Sequence, residues 1–369
     1  SFSITDQARV SINATGENVF CIGVGGGDTS VAISGDAQLT TNAICSDKDI
    51  NDVQYMGIAT WSEEGDVEIN ICENARVTAN AISQMAYPIY AFTQEGNATI
   101  CIGDNAQVSA TGTDPTSVVT ADSSCVGIMA ESEMQDAVVS IQGNARVNAA
   151  AESLGFGMGL AAKGGAEGKA TVNISGEAQV TAIGNGTPDE ELEGTERSAG
   201  IVAYTEHYGG KVTISGDPQV TAAGTDFGIG TSYTPLRPTD VDGTTVIIQG
   251  GTVTLDAPQG IGEYSEGCYF NPCMMCIEGG KVIVTPGTVL DLRNSAVYDP
   301  TVIKLSSIVN NGKLALPGYM DNTMSSEEVA QMVADQHLQG TGFFGVESVC
   351  FANNGTAFTH QRSGGIYIA

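Results

Sequence analysis

The chain has 369 residues, of which 43 are acidic and 14 basic, giving a formal charge of −29, and 41% are apolar. An acidic surplus of that size excludes nucleic acid and anionic membrane as partners, because both are held by clustered Lys and Arg. The apolar share suffices for a buried core, but no apolar run reaches the length needed to span a bilayer.

The elements repeat. In chain order, ISGDAQLTT, ICENARVTA, IGDNAQVSA, IQGNARVNA, ISGEAQVTA and ISGDPQVTA share the form I-x-[G/E/D]-[D/N/E]-[A/P]-[Q/R]-[V/L], after an earlier copy in FSITDQARVSI. The apolar residue that closes the phrase falls at Val10, Leu39, Val77, Val108, Val147, Val180 and Val220, and drifted copies IQGGTV and IEGGKV place it at Val253 and Val282. Intervals run from 29 to 40 residues. Repetition at that period describes a stack of similar units rather than one globular core.

Each unit holds three short strand-like pieces, as in TVNISG, EAQVTAIG and SAGIVAYTE. Apolar residues alternate in each: Val172 and Ile174, then Ala178, Val180 and Ala182, then Ile201 and Ala203 point inward. Gly and Asx residues between the pieces supply turn chemistry. No helix-length segment separates the strands, which excludes a βαβ sheet. The expected fold is all-β: a single-stranded right-handed parallel β-helix, three strands per coil, with about nine or more coils. Nine coils make a rod roughly 40 Å long. A β-propeller has a similar period but needs four strands per blade.

The β-helix is expected over 1–300. Residues 301–369 read as degenerate final coils and a C-terminal cap with a helix near 325–338. There Ser325 and Glu328 form a capping box, Val329, Met332 and Val333 line one face, and Gly340 ends the helix. Such a helix would cover open strand edges. Because the chain opens inside a repeat and without Met, it is expected to be a mature or excised piece of a longer protein.

Stacking turns each repeat position into a column on the rod. Arg9, Gln38, Arg76, Gln107, Arg146, Gln179 and Gln219 form an outward ladder that alternates Arg and Gln for six rungs, either stabilising the stack or donating to hydroxyls and carboxylates. Asp36, Asn74, Asn105, Asn144, Glu177 and Asp217 occupy a turn where Asx side chains satisfy the backbone and tolerate left-handed geometry, with calcium at one of these turns as the alternative. The third strand is aligned on Ile58, Ile89, Ile128, Met158, Ile201, Ile229 and Ile261 as inward residues. Its outward positions then include Trp61, Tyr90, Phe92, Tyr204 and Tyr264, with Glu63, Glu64, Glu95, Glu133, Glu206 and Glu266 just beyond. Exposed aromatic faces mark contact sites. Rings stack on the C–H faces of sugars and carboxylates accept hydroxyl hydrogen bonds, unless loops fold over the strip. The candidate ligand-binding set is Trp61, Tyr90, Phe92, Tyr204, Tyr264, Glu63, Glu95 and Glu206.

Catalytic equipment is not evident. The N-T-D, D-D, H-G and R-I-K motifs of polygalacturonases do not occur. Lys169, Lys211 and Lys281 precede first strands in Gly-rich turns and read as solvated turn residues rather than the base of a pectate lyase. Neither His207 nor His337 has a partner at metal or triad spacing. The nine Cys are scattered apart from Cys268, Cys273 and Cys276, three thiols that read as free or locally bridged, with zinc as the alternative.

The copies VIIQGGTVTLDAPQGIGEYSEG and CIEGGKVIVTPGTVL resemble repeats of clostridial carbohydrate-binding β-helix domains and related surface proteins of anaerobic Firmicutes. These repeats carry I-x-G-G-x-V-x-[IL] followed by G-I-x-x. The similarity covers 244–290, and the tail NNGKLALPGY…EEVAQMV…GTGFFGV resembles the end of such segments. The resemblance implies an extracellular or cell-wall location and a non-catalytic role in binding polysaccharide or in adhesion, sometimes with structural calcium but no other cofactor. The expected partner is a glycan or another surface ligand, with no nucleic acid and no membrane insertion. A passive stalk of a larger surface protein and a polysaccharide lyase-like enzyme are the alternatives.

Overall fold

The computed structural model describes residues 1–16, 19–45, 54–115, 123–186, 198–205, 209–231, 245–263, 274–291, 307–315, 352–353 and 356–358. The helix expected near 325–338 lies outside the described residues. Those described contain no α-helix and form three parallel sheets of 9, 11 and 11 strands. The first runs from Phe2–Ile4 to Met274–Ile277, the second from Arg9–Gly16 to Ala352–Asn353, and the third from Val19–Gly25 to Thr356–Phe358. Each strand pairs with its counterparts one coil above and below, so the chain is a right-handed parallel β-helix with three strands per coil. Eleven rungs give a rod about 50 Å long.

The repeat phrase keeps its register throughout. Val10, Leu39, Val77, Val108, Val147, Val180, Val220, Val253 and Val282 are successive Cα partners on the second sheet. They meet Ile33, Ile71, Ile102, Ile141, Ile174 and Ile214 from the first sheet and Ile58, Ile89, Ile128 and Ile201 from the third in one continuous core. Each fully buried Val or Ile side chain of this kind contributes about 1.5–3 kcal/mol.

The next inward position on the second sheet is Ala in five successive coils: Ala79, Ala110, Ala149, Ala182 and Ala222. The third sheet crosses against this column at Gly57, Pro88, Gly127, Gly159, Gly200, Gly228 and Gly260. A Cβ on Gly159 would lie 2.5 Å from the Ile183 amide nitrogen, and one on Gly200 would lie 2.6 Å from that of Ala223. At Gly159 and Gly200 the two backbones therefore touch, and no Cβ fits between them. This waist separates the main core from a smaller lobe built from Val19, Ala43, Tyr55, Ala81, Ala86, Cys125 and Ala151. Ladder pairing skips the waist: Met56 pairs with Tyr87 and Ile58 with Ile89, with no Cα pair between. A proline, which has no N–H to contribute, is therefore tolerated at Pro88.

At the waist the third strand bends, and side chains on both sides of the bend turn outward. Met56, Tyr87, Val126, Met158, Ala199 and Phe227 lie one residue before it, and Ala59, Tyr90, Met129, Ala161 and Val202 two residues after the Gly or Pro. Together they form a second apolar cluster, separate from the core, on the outer face of the sheet. This corrects one coil of the sequence alignment. Leu160, not Met158, pairs with Ile128 and Ile201 and enters the core, while Met158 belongs to the outer cluster.

The turn column is also shifted by one. The left-handed residues are Asp6, Glu73 and Asp104, with φ of 55–60°, and Gly35, Gly143, Gly176 and Gly216 in the same place, one residue before the Asx column. The Glu73 carboxylate accepts from the Gly35 N–H at 2.7 Å, and the Asp104 carboxylate from the Glu73 N–H at 3.1 Å, which offsets the backbone penalty of a non-glycine residue there. The Asx residues bond to each other: Asn74 Nδ2 donates to Asp36 Oδ1, Asn105 to Asn74 and Asn144 to Asn105, at 3.1–3.2 Å.

Candidate functional site

Three residues after each core Ile of the third sheet, one outward column reads Gly25, Trp61, Phe92, Glu131, Lys163 and Tyr204 in successive coils. Strand alternation points these side chains away from the core, and the parallel register sets each about 4.8 Å from the next. Trp61 is the chain's only tryptophan and is 41% exposed. Its indole lies directly over Gly23 and Gly25 of the preceding coil, occupying the space their missing side chains leave. The Phe20 ring stands 5.4 Å from it, tilted by 43°.

One coil further, three rings line up across the strand: Tyr87 and Tyr90 stack at 5.0 Å, and Tyr90 and Phe92 at 5.9 Å. Tyr87 shares a 2.7 Å hydrogen bond with Ser124. Tyr90 is only 6% exposed and its hydroxyl donates to Glu131 Oε2 at 2.6 Å. Burial first, and then the Glu131 charge, pushes this phenol well above its usual range, so it remains a neutral donor. Glu131 Oε1 pairs with Lys163 Nζ at 2.8 Å, and the same ammonium lies 5.6 Å from the Tyr204 ring centroid.

Phe20, Trp61, Tyr87, Tyr90 and Phe92, with Met56, Ala59, Met85, Glu131 and Glu133, enclose a hollow of about 500 Å³. A concave hollow of this size, lined by aromatic rings and by the carboxylates of Glu131 and Glu133, falls in the size range of small-ligand sites. Among the described residues no group of three or more His, Cys, Asp or Glu is placed to hold a metal ion.

The expected strip is thus partly assembled. Trp61 and Phe92 flank the hollow, Tyr204 is half-buried three coils beyond Phe92, and Glu63 and Glu95 are exposed on the turns that follow the strip. Tyr90 faces outward as expected, but it is packed into the outer cluster rather than presented as a free face. Tyr264 and Glu206 lie outside the described residues, as do His207, His337, Cys268 and Cys273. Sequence reasoning missed Phe20, Tyr87, Glu131 and Lys163. The two-residue slip at Met158 took Lys163 out of the column it shares with Trp61. Glu131, in register with Phe92, could have been found by reading that column for charge as well as for aromatic rings.

The Arg/Gln ladder is present with the expected register and continues through Thr252 to Lys281, which therefore starts a second-sheet strand rather than preceding a first strand. Its side chains are exposed along a broad shallow trough of about 750 Å³. Lys163–Glu131 is the one salt bridge among the described residues, so the ladder arginines hold no carboxylate.

Fold and site define a parallel β-helix with an aromatic hollow on the outer face of its third sheet. No protein-family model matches the chain, and neither does any curated protein or solved structure. The likeness of 244–290 to clostridial surface repeats therefore stands on the quoted residues alone.

Proposed function

We propose that this chain is a non-catalytic module of a secreted or cell-surface protein that binds polysaccharide on the outer face of its third sheet. One observation carries the reading: Trp61, 41% exposed, lies beside Phe20 and Phe92 around a formed hollow rather than packed into the core. Trp61 and the equally exposed Phe20 form one contiguous aromatic patch, and such patches mark contact sites. In this reading Trp61 and Phe92 stack on the apolar faces of sugar rings, and Glu133, Glu63 and Glu95 accept hydroxyl hydrogen bonds. The chain charge of −29 disfavours polyuronates. A glycan array run with the wild-type chain and with Trp61→Ala tests it. Binding that the substitution abolishes supports the reading, while unchanged binding in the variant, or none to any glycan, defeats it.

A passive stalk is the second reading, favoured by the turn ladder of Asp36, Asn74, Asn105 and Asn144, in which outward side chains bond only to their own kind along the rod. It expects no glycan to bind.

A further inference from the structure

The hollow has a definite origin in the fold. Two residues beyond the waist, the outward column reads Gly23, Ala59, Tyr90 and Met129 in the first four coils. Tyr90 and Met129 fill the outer bend in the third and fourth coils, whereas Gly23 and Ala59 leave it open in the first two. What remains is a recess floored by Ala59 and Met56, walled by the Trp61, Phe20 and Phe92 rings, and closed by Tyr90.

Among the described residues, the uncompensated charge at the recess is negative. Glu131 is compensated, because one carboxylate oxygen meets Lys163 and the other Tyr90. Glu133, two residues on, also lines the hollow, is exposed and has no ion pair among the described residues. Lys163, the one cation beside the recess among the described residues, is already committed to Glu131. Aromatic faces carry the negative end of a quadrupole, so the ring walls add to the negative field of Glu133 and of the surrounding chain at −29. A neutral sugar would use the rings but leave this field unused, and an anionic sugar would be repelled. A protonated amine is drawn by both the rings and the carboxylate.

We propose that the recess takes an amino sugar with a free, protonated amine, as in a deacetylated glucosamine-type polymer. The proposal rests on the glycan-binding reading above and specifies its ligand.

The test titrates the intact chain with glucosamine oligomers and with N-acetylated oligomers of equal length, at about pH 5.5, where carboxylates are ionised and amines protonated. The expected result is about tenfold tighter binding of the free-amine oligomer, a preference that shrinks as salt is raised. Glu133→Gln is expected to bring the two affinities together by weakening only the free-amine oligomer. Trp61→Ala, or Phe20→Ala should the first variant fail to fold, is expected to weaken both. Equal affinity of the wild-type chain for the two oligomers overturns the amine proposal and leaves the glycan reading standing. Binding of neither oligomer nor any other glycan overturns both. Free-amine binding that survives both ring substitutions puts the cation elsewhere and overturns the assignment to this recess.

Discussion

Lys163 Nζ stands 2.8 Å from Glu131 Oε1 across a single rung of the stack, while the opposite oxygen of the same carboxylate accepts from Tyr90. The pair joins two coils, and Glu131, at 13% exposure, is the more enclosed partner. Replacing Lys163 by Met leaves that carboxylate without its cation. The expected loss in chemical denaturation is about 1–2 kcal/mol, below that of a fully buried pair because Lys163 is partly solvated. Glu131→Gln in the same background should recover part of it, since the amide oxygen still accepts from Tyr90.

Trp61 is the sole indole, so its fluorescence reports this site alone. Glu63, Glu64 and Glu133 are exposed and acidic. Cationic quenchers should concentrate near the ring and anionic ones should be repelled, so with each ion scaled to its quenching of free tryptophan, caesium is expected to quench more efficiently than iodide at low salt. The difference should fade at high salt. Equal quenching by the two ions at low salt would remove the negative field on which the amine proposal depends.

The waist depends on the absence of side chains. In Gly159→Ala the new Cβ would meet the Ile183 nitrogen at 2.5 Å and the Gly200 oxygen at 2.7 Å, both backbone atoms that cannot step aside without moving a sheet. A loss of at least about 3 kcal/mol is expected. Gly27→Ala is the control: its Cβ would meet nothing within 4 Å, and the change should stay within about 0.5 kcal/mol. Thermal melts of the two variants make the comparison.

Stability should fall on the alkaline side. Burial pushes the Cys125 thiol from 9.0 up to about 12, and that thiol donates to the Ser83 carbonyl oxygen at 3.7 Å. The unfolded chain therefore releases this proton from about pH 9 upward while the folded chain holds it, so stability is unaffected below that range and declines as pH rises through it. Tyr90, raised above 10.0, acts in the same direction from a higher onset. Cys125→Ala is expected to remove the earlier part of the decline, measured as the denaturation midpoint against pH. Cys21, Cys72 and Cys101 are raised as well, mainly by burial, but are only half-buried.

Much of the fold was legible in the residues. Val10 through Val282 mark rungs because alternation along a strand is local, and a local pattern survives without knowledge of its neighbours. The Arg/Gln ladder follows from the same register. The candidate site was legible only in part. Trp61 and Phe92 announce themselves as aromatic residues on the outward parity, but Tyr90 has that parity too and is buried. The bend at Pro88 brings Tyr87 and Tyr90 onto one surface although they lie three residues apart, which simple alternation forbids.

The sequence by itself determined the architecture: three strands per coil, the stacking order and the core columns of the first and second strands, all of which follow from short-range periodicity repeated at 29–40 residues. Only the tertiary structure decided the waist, the outer apolar cluster and the entry of Lys163 into the column of Trp61, Phe92 and Glu131. The physical reason is the variable link between second and third strands, which runs from Ile82 to Met85 in one coil and from Asn185 to Ala199 in another. Where the third strand enters the stack is set by where it can bend against the Ala column of the second sheet, and that contact exists only once the coils are closed.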